Sequence, residues 1–535
     1  VSARNIFLEY NFYFFIFGRR ILVKAIQFEI KRRDFMFKFA RIFVLVWFTF
    51  CAGSTVSAIT YTVTKTADTN DGICDADCSL REAVTAANAT ADNDVVAFSA
   101  LFDSAQTITL SGAEIVVASN GSLTINGPGA NLLTISGNNA SRILSSSANA
   151  VVNVNDLRFT AGNGAGATNT GRGGAIYNVG GTMVITNSIL TGNSAANGGA
   201  LNNAASASPS VPANLTIVNC SITGNSSTSS GSAMQNFSTS TLNLRNTTVS
   251  GNTSSGTGIA GAIQANGTVT ITNSTFSGNS APGGTGGGVY YNGTSMIMTN
   301  TTIVNNSSGV GGGGLHRTGT NPTLLMRNTI IANNNGAAAS PDAFGLVSSQ
   351  GNNIIGNVIG STGWIGSDFQ NVNPMLDVLA ANGGLGNTHL PLTGSPALNA
   401  GQNCVVDLSC SAGNPPVAVT TDQRGVTRPQ NAIVDIGSVE VAVAANATVS
   451  GQVLSSELTP VRNVFVVISN MSGVVASART NSFGYFTLSN IPSGQSYTLN
   501  VIAKQYTFTP QNINISGDVT GVLITANSGN LSEAK

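Results

Sequence analysis

Six versions of one short phrase recur between residues 183 and 334, and their spacing limits what this chain can fold into. They are MVITNSILTGN (183–193), LTIVNCSITGN (215–225), LNLRNTTVSGN (242–252), VTITNSTFSGN (269–279), MIMTNTTIVNN (296–306) and LLMRNTIIANN (324–334). The first asparagines of the six are Asn187, Asn219, Asn246, Asn273, Asn300 and Asn328, spaced by 32, 27, 27, 27 and 28 residues. A fixed period of this length marks a stacked-repeat architecture. Apolar residues stand four and two before that asparagine and three after it, as Leu242, Leu244 and Val249 do around Asn246. Alternation before the asparagine is strand period, and the asparagine marks a bend. The density of β-branched residues, Gly and Asn excludes helix.

A second element precedes each phrase: GGAIYN (173–178), GGALNN (198–203), GSAMQN (231–236), AGAIQ (260–264), GGGVYY (286–291) and GGGLHR (312–317). Each repeat therefore holds at least two short strands, too short to pack alone. Stacking one coil on the next pairs every strand above and below and builds interior ladders of Ile, Leu, Val and Met. A buried Asn ladder fits as well, because stacked amides satisfy one another. The prediction is an all-β chain whose main body is a right-handed parallel β-helix solenoid. At ~4.8 Å per coil, about ten coils make a rod on the order of 50 Å.

The same region limits the chemistry. Between Asp156 and Asp342 there is no Asp, Glu or Lys; Arg158, Arg172, Arg245, Arg317, Arg327 and His316 are its only basic groups. Glycoside hydrolysis needs two carboxylates ~5–9.5 Å apart. Elimination on acidic sugars wants a base beside a charge-neutralising group, commonly a carboxylate-held cation. A wall without carboxylates hosts neither. In the second element, strand alternation turns Tyr177, Asn202, Gln235, Gln264, Tyr290 and His316 outward, away from the inward apolar residue. They are expected to form one solvent-facing stripe of rings and amides suited to carbohydrate, with a merely polar face as the alternative.

The ends differ from the middle. Of 23 Lys+Arg, nine lie in residues 1–41; the chain beyond residue 58 holds 14 against 20 Asp+Glu, a net charge near −6. A mildly acidic body has no footprint for nucleic acid. Met36, Lys38 and Arg41, the apolar run Ile42–Phe50 and the small-residue site Val56-Ser57-Ala58 read as a secretory signal (36–58), so the mature chain is expected to begin near Ile59. Residues 1–35 read as an over-extended start, with a membrane-surface segment as the rival. The apolar core of the signal is shorter than the ~20 residues a membrane helix needs, and no later segment is long and apolar enough. Phe48-Thr49-Phe50 before Cys51 is too bulky for a lipidation site.

Beyond the signal, Cys74/Cys78 and Cys404/Cys410 are local pairs that an oxidising compartment would close as disulfides, with a shared zinc site as the alternative; Cys220 reads as a free, packed thiol. Asp68, Asn70, Asp71, Asp75 and Asp77, around Gly72, make an oxygen-rich loop for which calcium is the candidate cation, although the neighbouring cysteine pair explains a tight turn without one. Ser79-Leu80-Arg81-Glu82 is a capping box opening a short helix over the first coil. Cys78–Ala83 (CSLREA) resembles the motif of the CSLREA-domain proteins, exported bacterial β-helix proteins. Thr421-Asp422-Gln423-Arg424-Gly425-Val426-Thr427-Arg428-Pro429 with Asp435-Ile436-Gly437-Ser438-Val439-Glu440 resembles the closing segment of the choice-of-anchor β-helix group, within the pectin-lyase-like fold. From about 446 the strands alternate between Gly/Pro/Asn turns, and GQVLSSELTPVRNVFVVISN with Thr480–Phe486 resembles the carboxypeptidase-regulatory-like β-sandwich, a transthyretin-like module with a carbohydrate-binding-like fold. That family often has Asp where Asn481 stands.

The expected order is thus 1–58 leader, 59–110 N-terminal cap, 111–370 β-helix, 371–445 C-terminal cap and 446–535 sandwich. The expected role is an exported, non-catalytic protein at or outside a bacterial cell surface, adhesin-like or polysaccharide-binding, with no resident cofactor other than calcium. One alternative is a lyase or hydrolase on extracellular carbohydrate using Asp422, Asp435 and Glu440. The other is a structural surface component.

Overall fold

The computed structural model describes residues 58–528 apart from 119, 260, 320–322, 338–339, 442–445, 471–472, 494 and 516. Of the leader assigned to 1–58, residues 1–57, with Cys51 and all of the signal but Ala58, lie outside the described residues. The body is a parallel β-solenoid walled by three long sheets. Sheet 1 has eleven strands and includes Thr182–Thr186 and Asn214–Val218; sheet 2 has eleven and includes Ile189–Thr191; sheet 3 has ten and includes Ile176–Val179 and Leu201–Ala204. A fourth, five-stranded sheet begins at Ser194–Asn197.

The repeat phrase becomes one corner of each coil. Met183, Leu215, Leu242, Val269, Met296 and Leu324 pair in strict register through sheet 1, each at most 1% exposed. Leu190, Ile222, Val249, Phe276 and Ile303 form the matching ladder in sheet 2. Between the sheets the chain turns on the first asparagines, whose φ values run from +47° to +53°. Asn is the residue, after Gly, that enters this left-handed region most readily.

The buried amide ladder belongs to the other asparagine of each phrase. Asn193, Asn225, Asn252, Asn279, Asn306 and Asn334 each donate from Nδ2 to Oδ1 of the next or, at the top, to Asp342, over 2.8–3.0 Å. Each Oδ1 along the run also accepts the main-chain N–H of the preceding member, at 2.9–3.1 Å. One amide thus satisfies buried groups on two coils, as identical stacked polar residues must if they are to be buried.

The helix Leu80–Asn88 forms as expected: Ser79 Oγ accepts from Glu82 N at 3.0 Å while Glu82 Oε2 accepts from Ser79 N at 2.7 Å. Its Leu80, Ala83, Val84 and Ala87 join the solenoid core. Two boundaries need correction. Strands Thr60–Val63, Asn93–Phe98 and Gln106–Thr109 already belong to the sheets, so the solenoid begins within the segment assigned to the N-terminal cap. The segment assigned to the C-terminal cap follows the last strand, Phe369–Gln370, but runs back along the outside of sheet 2. Gln402 N donates to Asn328 Oδ1 (2.8 Å), Ser438 N to Thr302 Oγ1 (3.0 Å), and Gln423 Nε2 to Thr248 Oγ1 (2.7 Å). Neutral hydroxyls along that face give a non-repeating segment partners on successive coils.

The C-terminal module is a small mixed β-sandwich. A three-stranded sheet (Tyr485–Pro492, Asn446–Leu454, Val519–Thr525) faces a four-stranded one (Gly473–Arg479, Phe465–Asn470, Gln495–Ile502, Gln511–Ile515). Val449, Val466, Ile468, Phe486, Leu488 and Leu499 form its core. Among the described residues no helix is long and apolar enough to cross a membrane.

Candidate functional site

The acidic loop near the N-terminus is occupied by protein cations. Arg81 grips both oxygens of Asp68 at 2.8 Å and donates to the Ala113 and Glu114 carbonyls, pinning the helix to the following coil. Burial pushes the Asp68 carboxyl up, but Arg81 and Ser111 outweigh it and hold it below the usual range. Asp77 pairs with Lys65 at 2.9 Å, and Asp75 accepts from Asp77 N at 3.1 Å. Asn70 is exposed. The residues proposed for calcium do not converge, and among the described residues no group of three His, Cys, Asp or Glu side chains is placed to hold a metal. The motif is a clamp: Cys78 bonds to Cys74, Ser79 and Glu82 cap the helix, and Leu80 plugs the core. The second disulfide, Cys404–Cys410, also forms, and Cys220 is free and buried.

The predicted stripe is in register but not on the surface. Tyr177, Asn202, Gln235, Gln264, Tyr290 and His316 stack in that order through sheet 3, with exposures of 0–7%. Alternation placed them opposite the core residues, and the chain ahead of each strand then folds back over them. At Gly198, φ is +67° and a Cβ would sit 2.1 Å from Leu201 O, so only glycine makes this bend. Asn202 Nδ2 then reaches Asn197 O at 3.5 Å, and His316 Nδ1 reaches Gly311 O at 3.1 Å. Inside, Asn202 Nδ2 bonds Gln235 Oε1 (2.8 Å), Gln235 Nε2 bonds Gln264 Oε1 (2.5 Å), and His316 stacks between Tyr290 and Phe344. Burial holds the His316 pKa below its ordinary value. The stripe is an internal ladder. Its first member lies under Arg142, fully buried, 4.9 Å from the Tyr177 ring centroid and paired with Glu114 at 2.6 Å. Sequence reasoning passed over this pair because neither residue sits in a repeat.

The acids of the lateral segment are also internal. Asp422, Asp435 and Glu440 are 0% exposed. Glu440 Oε2 binds Arg428 at 2.9 Å and accepts Asp435 N at 2.9 Å; Asp422 binds Arg424 at 2.7 Å and accepts Glu440 N at 2.9 Å. Burial pushes the Asp435 carboxyl up to about 6. A second pair, Ser277 Oγ and His389 Nε2 at 2.9 Å, has the spacing of a nucleophile and base. Both are only 3% exposed, and the partner of His389 Nδ1 is the Asp377 main-chain carbonyl at 2.7 Å. Their position seats the lateral segment on sheet 2.

An open feature lies on the sandwich. In the three-stranded sheet Tyr485 pairs with Gln452, which pairs on its other side with Leu523, so the three form one row across the sheet. Tyr485 is 53% and Leu523 54% exposed, while Phe486, next in the strand, is buried in the core. Behind the row Ser450 pairs with Thr487, and these residues line a depression of about 290 Å³. Gly451 keeps the strands close, since a Cβ there would meet Val522 O at 2.0 Å. The turn feeding Tyr485 is built by Asn481, whose Oδ1 accepts from Phe483 N (2.9 Å) and Tyr485 N (3.0 Å). An amide oxygen accepts the same two main-chain bonds that a carboxylate oxygen would, so the turn forms with Asn in place.

Residues 448–527 match the family model of the carboxypeptidase regulatory-like domain. The match takes in the depression, Asn481 and nearly all of the sandwich. No curated protein matches the chain.

Proposed function

We propose that this chain is an exported, non-catalytic surface protein in which a rigid β-solenoid carries a carboxypeptidase-regulatory-like module that binds polysaccharide. The observation that carries the reading is the half-exposed Tyr485 beside Gln452 and Leu523, over a depression flanked by Ser450 and Thr487. A phenol ring and an aliphatic side chain offer apolar surface to the C–H face of a sugar, and the neighbouring amide and hydroxyls offer hydrogen bonds. Gln452 Nε2 already donates to Phe483 O at 2.8 Å, which leaves its Oε1 to accept from a ligand hydroxyl. Export is supported by the Met36–Ala58 signal pattern and by the resemblance of Cys78–Ala83 to the CSLREA motif. The non-catalytic reading is supported by the closed carboxylates of the lateral segment.

The test is affinity electrophoresis of the chain from Ile59 in gels containing neutral or acidic polysaccharides. Retention by at least one is expected, with Tyr485→Ala weakening it about tenfold, or ~1.4 kcal/mol, at an unchanged melting temperature. Unaltered retention of that variant removes the site. Release of reducing ends above background would point to an enzyme.

A further inference from the structure

Outside sheet 1 the molecule presents its most regular surface. Seven five-residue strands, from Val151–Asn155 to Thr323–Arg327, pair without a register shift. Their leading outward positions form one row, Val151 followed by the polar Thr182, Asn214, Thr241, Thr268, Ser295 and Thr323, repeating at the ~4.8 Å strand spacing. Thr182, Asn214, Thr268 and Thr323 are exposed, so neither the lateral segment nor the fold-back loops cover this row. The next row, two residues on, mixes Thr216 and Asn243 with Val184, Ile297 and Leu325, and its Thr270 is buried. The row beyond is covered at Thr272, Thr299 and Arg327, where Arg327 donates to Ala412 O of the lateral segment, so the leading row is the open one.

Three properties restrict the partner. Its strands keep one register over seven coils, so the row repeats its contacts only against a partner whose surface repeats as well. The outward positions of these seven strands carry no carboxylate or lysine, and their charges, Arg245 and the buried Arg327, lie in the row at the margin. Binding an acidic polymer would strip water from anions without cations to receive them. Its polar groups are hydroxyls and amides, which both donate and accept, at a step about the size of one sugar ring. The same chemistry is already used on sheet 2, where Thr248, Thr275 and Thr302 hold the lateral segment through Gln423 and Ser438.

We infer that the outer face of sheet 1 is a second contact surface, shaped for the packed face of a neutral, insoluble polysaccharide. The inference rests on the proposed polysaccharide-binding role and assigns the solenoid its own part: many weak contacts on a solid face, while the sandwich depression takes a single chain. Each exposed hydrogen bond is weak, so adhesion depends on their number.

The experiment compares three forms of the chain from Ile59: unaltered, T182K/N214K/T268K, and Tyr485→Ala. Each is sedimented with microcrystalline cellulose, polygalacturonate gel or polycrystalline ice, and separately titrated with cellohexaose. The unaltered chain is expected to sediment with cellulose well above polygalacturonate. The triple lysine variant should lose at least tenfold of that binding yet keep cellohexaose affinity, and Tyr485→Ala should show the reverse. T182A/N214A/T268A, which adds no charge, should fall between and guards against misfolding of the lysine form. Equal binding by both triple variants and the unaltered chain overturns the inference, as does preference for polygalacturonate or capture by ice without cellulose. Loss of every interaction in Tyr485→Ala would overturn it while leaving the sandwich site standing. No binding by the unaltered chain to any probe would remove both.

Discussion

Replacing Asn252 with leucine tests whether the amide ladder holds the coils together. Asn252 sits mid-ladder and is fully buried. Its Oδ1 accepts Asn225 N (2.9 Å) and Nδ2 (3.0 Å), and its Nδ2 donates to Ile222 O (3.0 Å) and Asn279 Oδ1 (2.9 Å). Leucine is of similar size, so no large cavity opens. Asn279 Oδ1 keeps the main-chain N–H of residue 252. Two main-chain groups lose a partner in the interior, the Asn225 N–H and the Ile222 carbonyl, while the Asn225 amide keeps Leu190 O and Thr223 O. At ~1–3 kcal/mol for each buried group so deprived the cost is about 4 kcal/mol. Burying the leucine side chain returns about 2 kcal/mol, leaving a net loss of about 2 kcal/mol. At ~2 °C per kcal/mol, the low end that a large domain takes, the melting temperature should fall by about 4 °C. A stacked-repeat protein can open coil by coil, so the melt needs a local companion. Amide hydrogen exchange should accelerate at residues 222–226 before it does in distant coils. Asn219→Gly is the control, since glycine also accepts the left-handed corner at φ +53° and should cost well under 1 kcal/mol. A loss below about 1 kcal/mol for Asn252→Leu, or one equal to that of Asn219→Gly, would refute the ladder's role.

Arg428→Met should cost about 3–5 kcal/mol by thermal melting, because it strands Glu440 in a fully buried site, and adding Glu440→Gln should recover part of the loss. Burial lowers the His389 pKa, so the unfolded chain protonates first; this residue's contribution is full above about pH 6.5 and is lost as pH falls below that. Asp435, raised to about 6, works the other way, favouring the fold more as pH falls from about 6 towards 4. The histidine's share is therefore the difference between melts of the unaltered chain and His389→Gln across pH 5–8, and a constant difference would refute it. Burial pushes the Cys220 thiol up to about 12, so a thiol reagent at pH 8 should leave the native chain from Ile59 unlabelled. Unfolding without reductant should then expose one thiol per chain, and more than one would show that a disulfide is absent.

The solenoid was legible because its signal is repeated. Leu242, Leu244 and Val249 each recur with the same offset in five other coils, and parallel stacking is the arrangement that gives every copy the same neighbours. Two of its details were not. The two asparagine series share one period, so spacing could not say which is the corner and which the ladder. The residue just before the second asparagine carried that information: Gly192, Gly224, Gly251 and Gly278 have φ from +61° to +64°, a bend that turns the following amide inward. The stripe failed for a related reason. Alternation reports which side of its own sheet a residue faces, and Tyr177 to His316 do face away from the core. It does not report that another stretch of chain lies on that side. Tyr485 went unnoticed because it belongs to no repeat, and its exposure depends on pairing with strands more than thirty residues away in sequence.

The placement of charge follows from the same geometry. A carboxylate repeated on successive coils would sit ~4.8 Å from its copy, a repulsion of roughly 3.5 kcal/mol per pair at an effective dielectric constant of 20. Asn, Ser and Thr escape this because each donates and accepts, so like can stack on like without limit. The repeat therefore carries no Asp, Glu or Lys between Asp156 and Asp342, and ionised pairs appear where a unique piece must be fastened to it. Arg81 and Asp68 pin the N-terminal helix, Arg142 and Glu114 hold the loop over the first ladder residue, and Arg428 and Glu440 lock the lateral segment. Asp342 shows the rule at single-residue scale: it ends the amide ladder, where an acceptor is needed and no further copy has to be satisfied. Between Asp156 and Asp342 the wall carries no Asp or Glu, and its regular surface of hydroxyls and amides is a consequence of how it stacks.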